Sequence, residues 1–144
     1  PIEAVWYTGR MMGETLAQTI CGNRIAYKPG HWFNSAKFMD IEYQTYGWVF
    51  GKKGRPEHEQ HFHWKHEDDT KCITVAYHKD TNAFLGINTF GIRMRHETFD
   101  TWLKEKRDVD YVMNHLSEAN FDPEFYSKFE NDILSAYNNQ QQTV

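Results

Sequence analysis

QHFHWKHEDDTKCITVAYHKDTNAFLGINTF, residues 60–90, decides the fold. In its opening run, QHFHWKH, Phe62 and Trp64 alternate with His61, His63 and Lys65, the period-two signature of a strand with one buried face. Ile73, Val75 and Tyr77 mark a second strand. A polar KDTN turn then leads to a third strand around Phe84 to Phe90. The result is an antiparallel meander.

Working upstream, GKKGRPE at 51–57 reads as a basic turn or loop carrying two glycines and a proline. Before it, Met39, Ile41, Tyr43, Thr45 and Val49 alternate with Asp40, Glu42 and Gln44, so residues 38–50 are expected to form one half-buried strand. His31 to Lys37 stand in front of it as a loop-to-strand junction, with Asn34, Ser35, Ala36 and Lys37 between Phe33 and Phe38. Further upstream, residues 8–21 predict a helix begun by Thr8 as N-cap and stopped by Gly22-Asn23. Met12, Leu16 and Ile20 form one stripe of this helix, and Gly9, Gly13, Ala17 and Cys21 form a second, of small residues. Glycine inside a helix costs roughly 1 kcal/mol relative to alanine, so a close partner is expected there: backbone, another helix or a flat ligand.

Downstream the period becomes helical. Phe99, Trp102 and Leu103 form a short apolar stripe, and Asp108 caps a helix whose core face is Val109, Val112, Met113 and Leu116. Asp122 followed by Pro123 opens a last helix, with Tyr126, Phe129, Ile133 and Tyr137 facing inward. One helix, a run of strands and a run of helices make an α+β fold: an antiparallel sheet with flanking C-terminal helices.

The 144 residues suffice for one compact domain, and no internal repeat is visible. A net charge of -4 without a basic face argues against a nucleic-acid partner. Neither a spanning helix nor a signal peptide is visible, so no membrane association is expected and the expected compartment is cytoplasmic. Cys21 and Cys72 have no CxxC spacing and read as reduced, buried thiols. Aromatic content is high at 16%, with five Trp and ten Phe, which implies a dense core or a surface meant to be covered.

His61 and His63 on one strand side, flanked by His58 and His66, are the metal candidate, but a strand supplies only two ligands and a solvated face explains the same letters. Glu57, Glu59, Glu67, Asp68 and Asp69 contain carboxylates enough for acid and base chemistry, yet their polar setting reads as a solvated charge run. GxSxG, HExxH, Walker A and GxGxxG are all missing.

WYTGRMMGETLAQTICG and WFNSAKFMDIEYQTYGW resemble the C-terminal part of FAD-dependent pyridine nucleotide-disulfide oxidoreductases, in the ferredoxin-reductase and apoptosis-inducing-factor branch. Gly9, Arg10 and Gly13 match that family's last FAD-domain helix. His31 to Lys37 match the segment that passes beside the flavin, where Ser35 keeps the pattern and Ala36 and Lys37 replace an acid and an amide. The hairpin KCITVAYHKDTNAFLGINTFG is similar to the middle of the family's C-terminal sheet.

The resemblance implies that residues 1–30 are the terminal helix and linker of an FAD domain and that 31–144 are the reductase's C-terminal interface domain. It implies FAD contacts at Gly9, Arg10, Phe33, Asn34, Ser35, Ala36 and Lys37. FAD and NAD domains upstream in the same chain would be the partners, NAD(P)H the parent's substrate, and a homodimer an option. The chain then reads as a C-terminal fragment, inert alone. The family's His-Pro-Thr-x-x-Glu acid/base motif is missing, and His96-Glu97 is the nearest approximation, which points to hydride transfer through flavin to a small redox carrier. Two alternatives remain open: a freestanding module for a partner protein or small ligand, and a histidine metal domain.

Overall fold

A computed structural model describes residues 5–121 and 127–142. The chain divides into two compact units, residues 1–30 and 31–144. The first is built on helix α1, Trp6–Ile20. Val5, not Thr8, is its N-cap, and the Thr8 hydroxyl donates to the Val5 carbonyl within the first turn. The C-terminus stops where expected. The Asn23 amide reaches Gln18 O and the Gly22 amide reaches Thr19 O, the paired bonds of a Schellman motif. Met12, Leu16 and Ile20 are exposed, and so is Cys21, which corrects the expectation of a buried thiol.

The second unit is an α+β domain with a five-stranded antiparallel sheet: β1 Phe33–Phe38, β2 Ile41–Gly47, β3 Glu59–Lys65, β4 Cys72–His78 and β5 Phe84–Phe90. Strands β3, β4 and β5 form the expected meander. Beyond it the order is β1-β2-β5-β4-β3, because β2 pairs with β5 and not with β3. The single strand expected over 38–50 is instead the turn and second arm of a hairpin. Met39 sits at φ 52, the chain reverses at Met39-Asp40, and Phe38 pairs with Ile41. Consequently Phe33 to Lys37, read as a loop, form an edge strand.

Register sorts the side chains into two faces. Phe33, Tyr46, Ile87, Val75 and Phe62 form one row across all five strands, and Ser35, Gln44, Thr89, Ile73 and Trp64 form the next. This face carries the core, covered by α2 His96–Lys104, α3 Val109–Asn114, a 3-10 turn Leu116–Ala119 and α4 Glu130–Gln141. Phe99 and Trp102 from α2, and Val109, Val112, Met113 and Leu116 from the next two elements, are buried as the sequence predicts. Asp108 caps α3 by accepting the Tyr111 amide at 2.6 Å. Asp122, Pro123 and Tyr126 lie outside the described residues. The described last helix begins at Glu130, with Phe129 as N-cap and Ile133 and Tyr137 buried.

The opposite face is open. Its rows run Asn34, Thr45, Asn88, Thr74, His63 and then Ala36, Tyr43, Phe90, Cys72, Lys65. Among the described residues, no helix is long and apolar enough to cross a membrane.

One link between α3 and α4 responds to pH. The Tyr137 hydroxyl donates to Asp110 Oδ1 at 2.6 Å, and burial, followed by that bond, pushes the phenol well above its usual range. Tyr77 is also raised, by burial and then by the charge of Asp110. An unfolded tyrosine loses its proton near pH 10, before the folded one does. Stability is therefore intact below about pH 10 and falls as pH climbs above it. The urea midpoint is expected to drop between pH 9 and about pH 11. Tyr137→Phe should cost about 1 kcal/mol at neutral pH and flatten that drop. An equally steep drop in the variant would locate the titration elsewhere.

Candidate functional site

The cavity that collects candidate residues lies where β1 and β2 meet the start of α2. Gln44 occupies a buried strand position, where its Oε1 accepts the Met94 amide at 2.7 Å. Tyr46, also buried, donates its hydroxyl to Met94 O at 3.3 Å. Arg93 pairs with Glu42 at 2.8 Å. Three successive core-face positions of β2 thus hold residues 93–94 against the sheet, and α2 begins two residues later.

His96, at the first position of α2, lies with its ring centroid 4.2 Å from that of Phe33 and 5.2 Å from that of Tyr46. Its Nδ1 is buried and has no hydrogen-bond partner in the protein. Arg95, the N-cap, makes no side-chain cap bond to the helix; its Nε donates to Asn120 O at 3.0 Å. These groups border a cavity of about 370 Å³ together with Asn34, Ser35 and Glu97. A buried ring nitrogen without a partner costs free energy, of the order of 1–3 kcal/mol.

Of the candidate flavin contacts, Phe33, Asn34 and Ser35 line this cavity; Ala36 and Lys37 do not. Phe33 and Ser35 lie on the core face, whereas Asn34 belongs to the open-face row, where its side-chain amide donates to the Tyr43 hydroxyl at 2.9 Å. Along a strand, neighbouring side chains point to opposite faces, so five consecutive residues cannot all face one ligand. Ala36 lies across from Tyr43 in the open-face row, and exposed Lys37 is opposite Glu42 near the hairpin end. Gly9 and Arg10 belong to α1 in the other unit. Arg10 Nε is bonded to Glu14 at 2.7 Å on an exposed surface, and a Cβ placed on Gly9 or Gly13 meets no atom within 4 Å. Arg93, Arg95, Glu42 and Gln44 were missed as site residues. Only the adjacency of Arg93, Arg95 and His96 in sequence hinted at them.

Among the described residues no hydrogen bond joins Ser35 to His96, so Ser35 lacks the adjacent base that activates a nucleophile. The rim carries both signs of charge, with Glu42 neutralised by Arg93.

The histidines on and just before β3 divide among separate partners. His61 Nε2 bonds to the buried Glu59, His63 Nδ1 to Thr74 Oγ1 at 2.9 Å, and the His58 ring stacks on His78. Among the described residues no group of three or more His, Cys, Asp and Glu side chains converges as a metal site. In the acidic turn, Asp68 is held well below the usual carboxylate range by hydrogen bonds from the Thr70 hydroxyl and amide, then from His66. A general acid needs the opposite shift.

No protein-family model matches the chain, and a comparison with curated proteins returns no match.

Proposed function

We propose that residues 31–144 are the interface domain of a cytoplasmic flavoprotein NAD(P)H oxidoreductase, with the cavity at Phe33, Asn34 and Ser35 serving as one wall of the FAD site. The observation that supports it most is the cavity in which Phe33, Asn34 and Ser35, residues that match the family's flavin-side segment, come together with His96. An isoalloxazine has a flat apolar body and a polar rim. Phe33 offers aromatic surface, and the Ser35 hydroxyl offers a hydrogen-bonding group at that rim. Those residues fit one edge of the ring; they do not enclose it.

When bound, FAD supplies hydride acceptance from NAD(P)H and electron delivery to a small redox carrier. The chain's own residues orient the ring and keep water from one side. The exposed hairpin end, with Phe38, Met39 and Ile41, is an apolar knob suited to packing on an FAD domain or a second subunit.

On this reading the 144-residue chain alone does not shift the absorbance spectrum of added FAD. The polypeptide that carries it in its native source copurifies with FAD, and Ser35→Arg, which puts a bulky cation at the rim, shifts that bound-flavin spectrum. A native polypeptide without flavin, or one inert with NADH and NADPH in the presence of an artificial electron acceptor, would rule the reading out.

A further inference from the structure

The open face of the sheet carries two adjoining cavities, of about 320 and 370 Å³, that share Val49, Phe50, Gly51 and Asn88. They differ in chemistry. The first is an aromatic slot. Its floor is Thr45, Gly47 and Asn88, low because Gly47 has no side chain. At one end stand Tyr43 and Phe90, cross-strand partners with ring centroids 5.7 Å apart. At the other end a column of three near-parallel rings rises off the sheet: Trp32 to Trp48 at 5.4 Å, and Trp48 to Phe50 at 5.9 Å. Trp48 is 57% exposed despite its size.

The second cavity is cationic. The turn closed by the Gly54 amide on Gly51 O brings Lys52 and Arg55 to the border of the cavity, beside His63 and Thr74. Among the described residues neither Lys52 nor Arg55 has an ion-pair partner. Among the described residues Glu57, the carboxylate nearest in sequence, forms no ion pair with either, and Glu59 is buried and already accepts from His61 and from the Phe50 amide at 3.1 Å. Between the two cavities, Asn88 Oδ1 is buried without a hydrogen-bond partner.

We propose that this face binds a small ligand in which a planar nitrogenous ring is joined to a phosphate, the chemistry of a mononucleotide. The ring lies in the aromatic slot between the Tyr43–Phe90 pair and the exposed column of Trp32, Trp48 and Phe50, and aromatic contact of this kind is indifferent to which base is present. Asn88 borders both cavities and so stands where the ring end meets the phosphate end. The phosphate, carrying close to two negative charges at neutral pH, meets Lys52 and Arg55. The cationic end separates this site from a platform for neutral sugars. The inference does not rest on the flavoprotein reading, which concerns the opposite face and a flavin spectrum.

Calorimetric titration of the 144-residue chain with 5′-AMP, adenosine and inorganic phosphate tests it. AMP is expected to bind saturably, with adenosine and phosphate each weaker by about tenfold or more, since each lacks one of the two anchors. Lys52→Ala combined with Arg55→Ala should weaken AMP by about tenfold and leave adenosine unchanged; Trp48→Ala should weaken both. All three side chains are exposed, and circular dichroism checks that the variants fold. Three results overturn the proposal: no saturable AMP binding, AMP binding insensitive to both variants, or a single-stranded oligonucleotide that outcompetes AMP at equal nucleotide concentration.

Discussion

Replacing Gly86 with alanine should destabilise the domain by about 3 kcal/mol or more, a large share of the roughly 5–15 kcal/mol that holds a domain together. The cause is a backbone contact. Gly86 on β5 pairs with Gly47 on β2, and a Cβ at Gly86 would lie 2.6 Å from Tyr46 O and 2.9 Å from Trp48 N and Trp48 O. None of those atoms can swing aside as a side-chain end could. Gly47 stands at φ 68, a conformation that costs an L residue about 1–2 kcal/mol, and its own added Cβ would meet Leu85 O at 2.2 Å. The pair thus lets β2 and β5 close up where the chain leaves the sheet toward Trp48. Gly54→Ala is the control, since a Cβ there meets nothing within 4 Å, and should change stability by less than about 0.5 kcal/mol. Urea unfolding followed by circular dichroism measures both. Equal midpoints for the two variants would mean that the β2–β5 contact is looser than described.

Phe99→Ala is the second large effect, expected at about 3–5 kcal/mol. The ring is fully buried and joins the helix layer to the sheet: it stacks on Tyr46 at 5.1 Å, meets Trp102 edge-on at 5.4 Å and approaches Phe84 at 6.1 Å. Truncation removes the buried area and leaves a void that rigid neighbours fill poorly. The aromatic pairs contribute beyond area, about 0.5–1.5 kcal/mol each. Because Tyr46 also holds Met94 O, losing Phe99 should loosen the cavity at His96 as well. Phe38→Ala, a ring of the same size that is 67% exposed, should cost under about 0.5 kcal/mol. A Phe99→Ala loss as small as that of Phe38→Ala would contradict the packing.

The difference between those two phenylalanines shows where local pattern succeeds. Over 60–90 β3 and β4 alternate and polar turns separate the strands, so the meander is legible, although β5 breaks the period between Phe84 and Ile87, where the register with β4 shifts at Ala76/Tyr77. Likewise Asp108 and the stripe from Val109 to Leu116 state their helix through a cap and a period. The 31–49 stretch misleads for a physical reason. Met39, Ile41, Tyr43 and Thr45 keep the period of two through a reversal, and Met39-Asp40 offers no glycine or asparagine to mark it. Only pairing shows the hairpin: Phe33 opposite Tyr46, and β2 against β5 forty residues on in the chain. The candidate site was half legible for the same reason. Phe33, Asn34 and Ser35 stood out by composition and resemblance, whereas Arg93 and Gln44 join them only through contacts some fifty residues apart in sequence.

By itself, the sequence determined the α+β class, the strands of the meander, the apolar stripe of α2, the cap and core face of α3, and the excess of aromatic residues, since each depends on neighbours within a few positions. The tertiary structure alone decided that β1 is an edge strand, that His96 is buried beside Phe33, and that the aromatic ladder of Trp32, Trp48 and Phe50 stands next to Lys52 and Arg55. Those depend on which strands pair and in what register, a choice made by packing across the whole sheet.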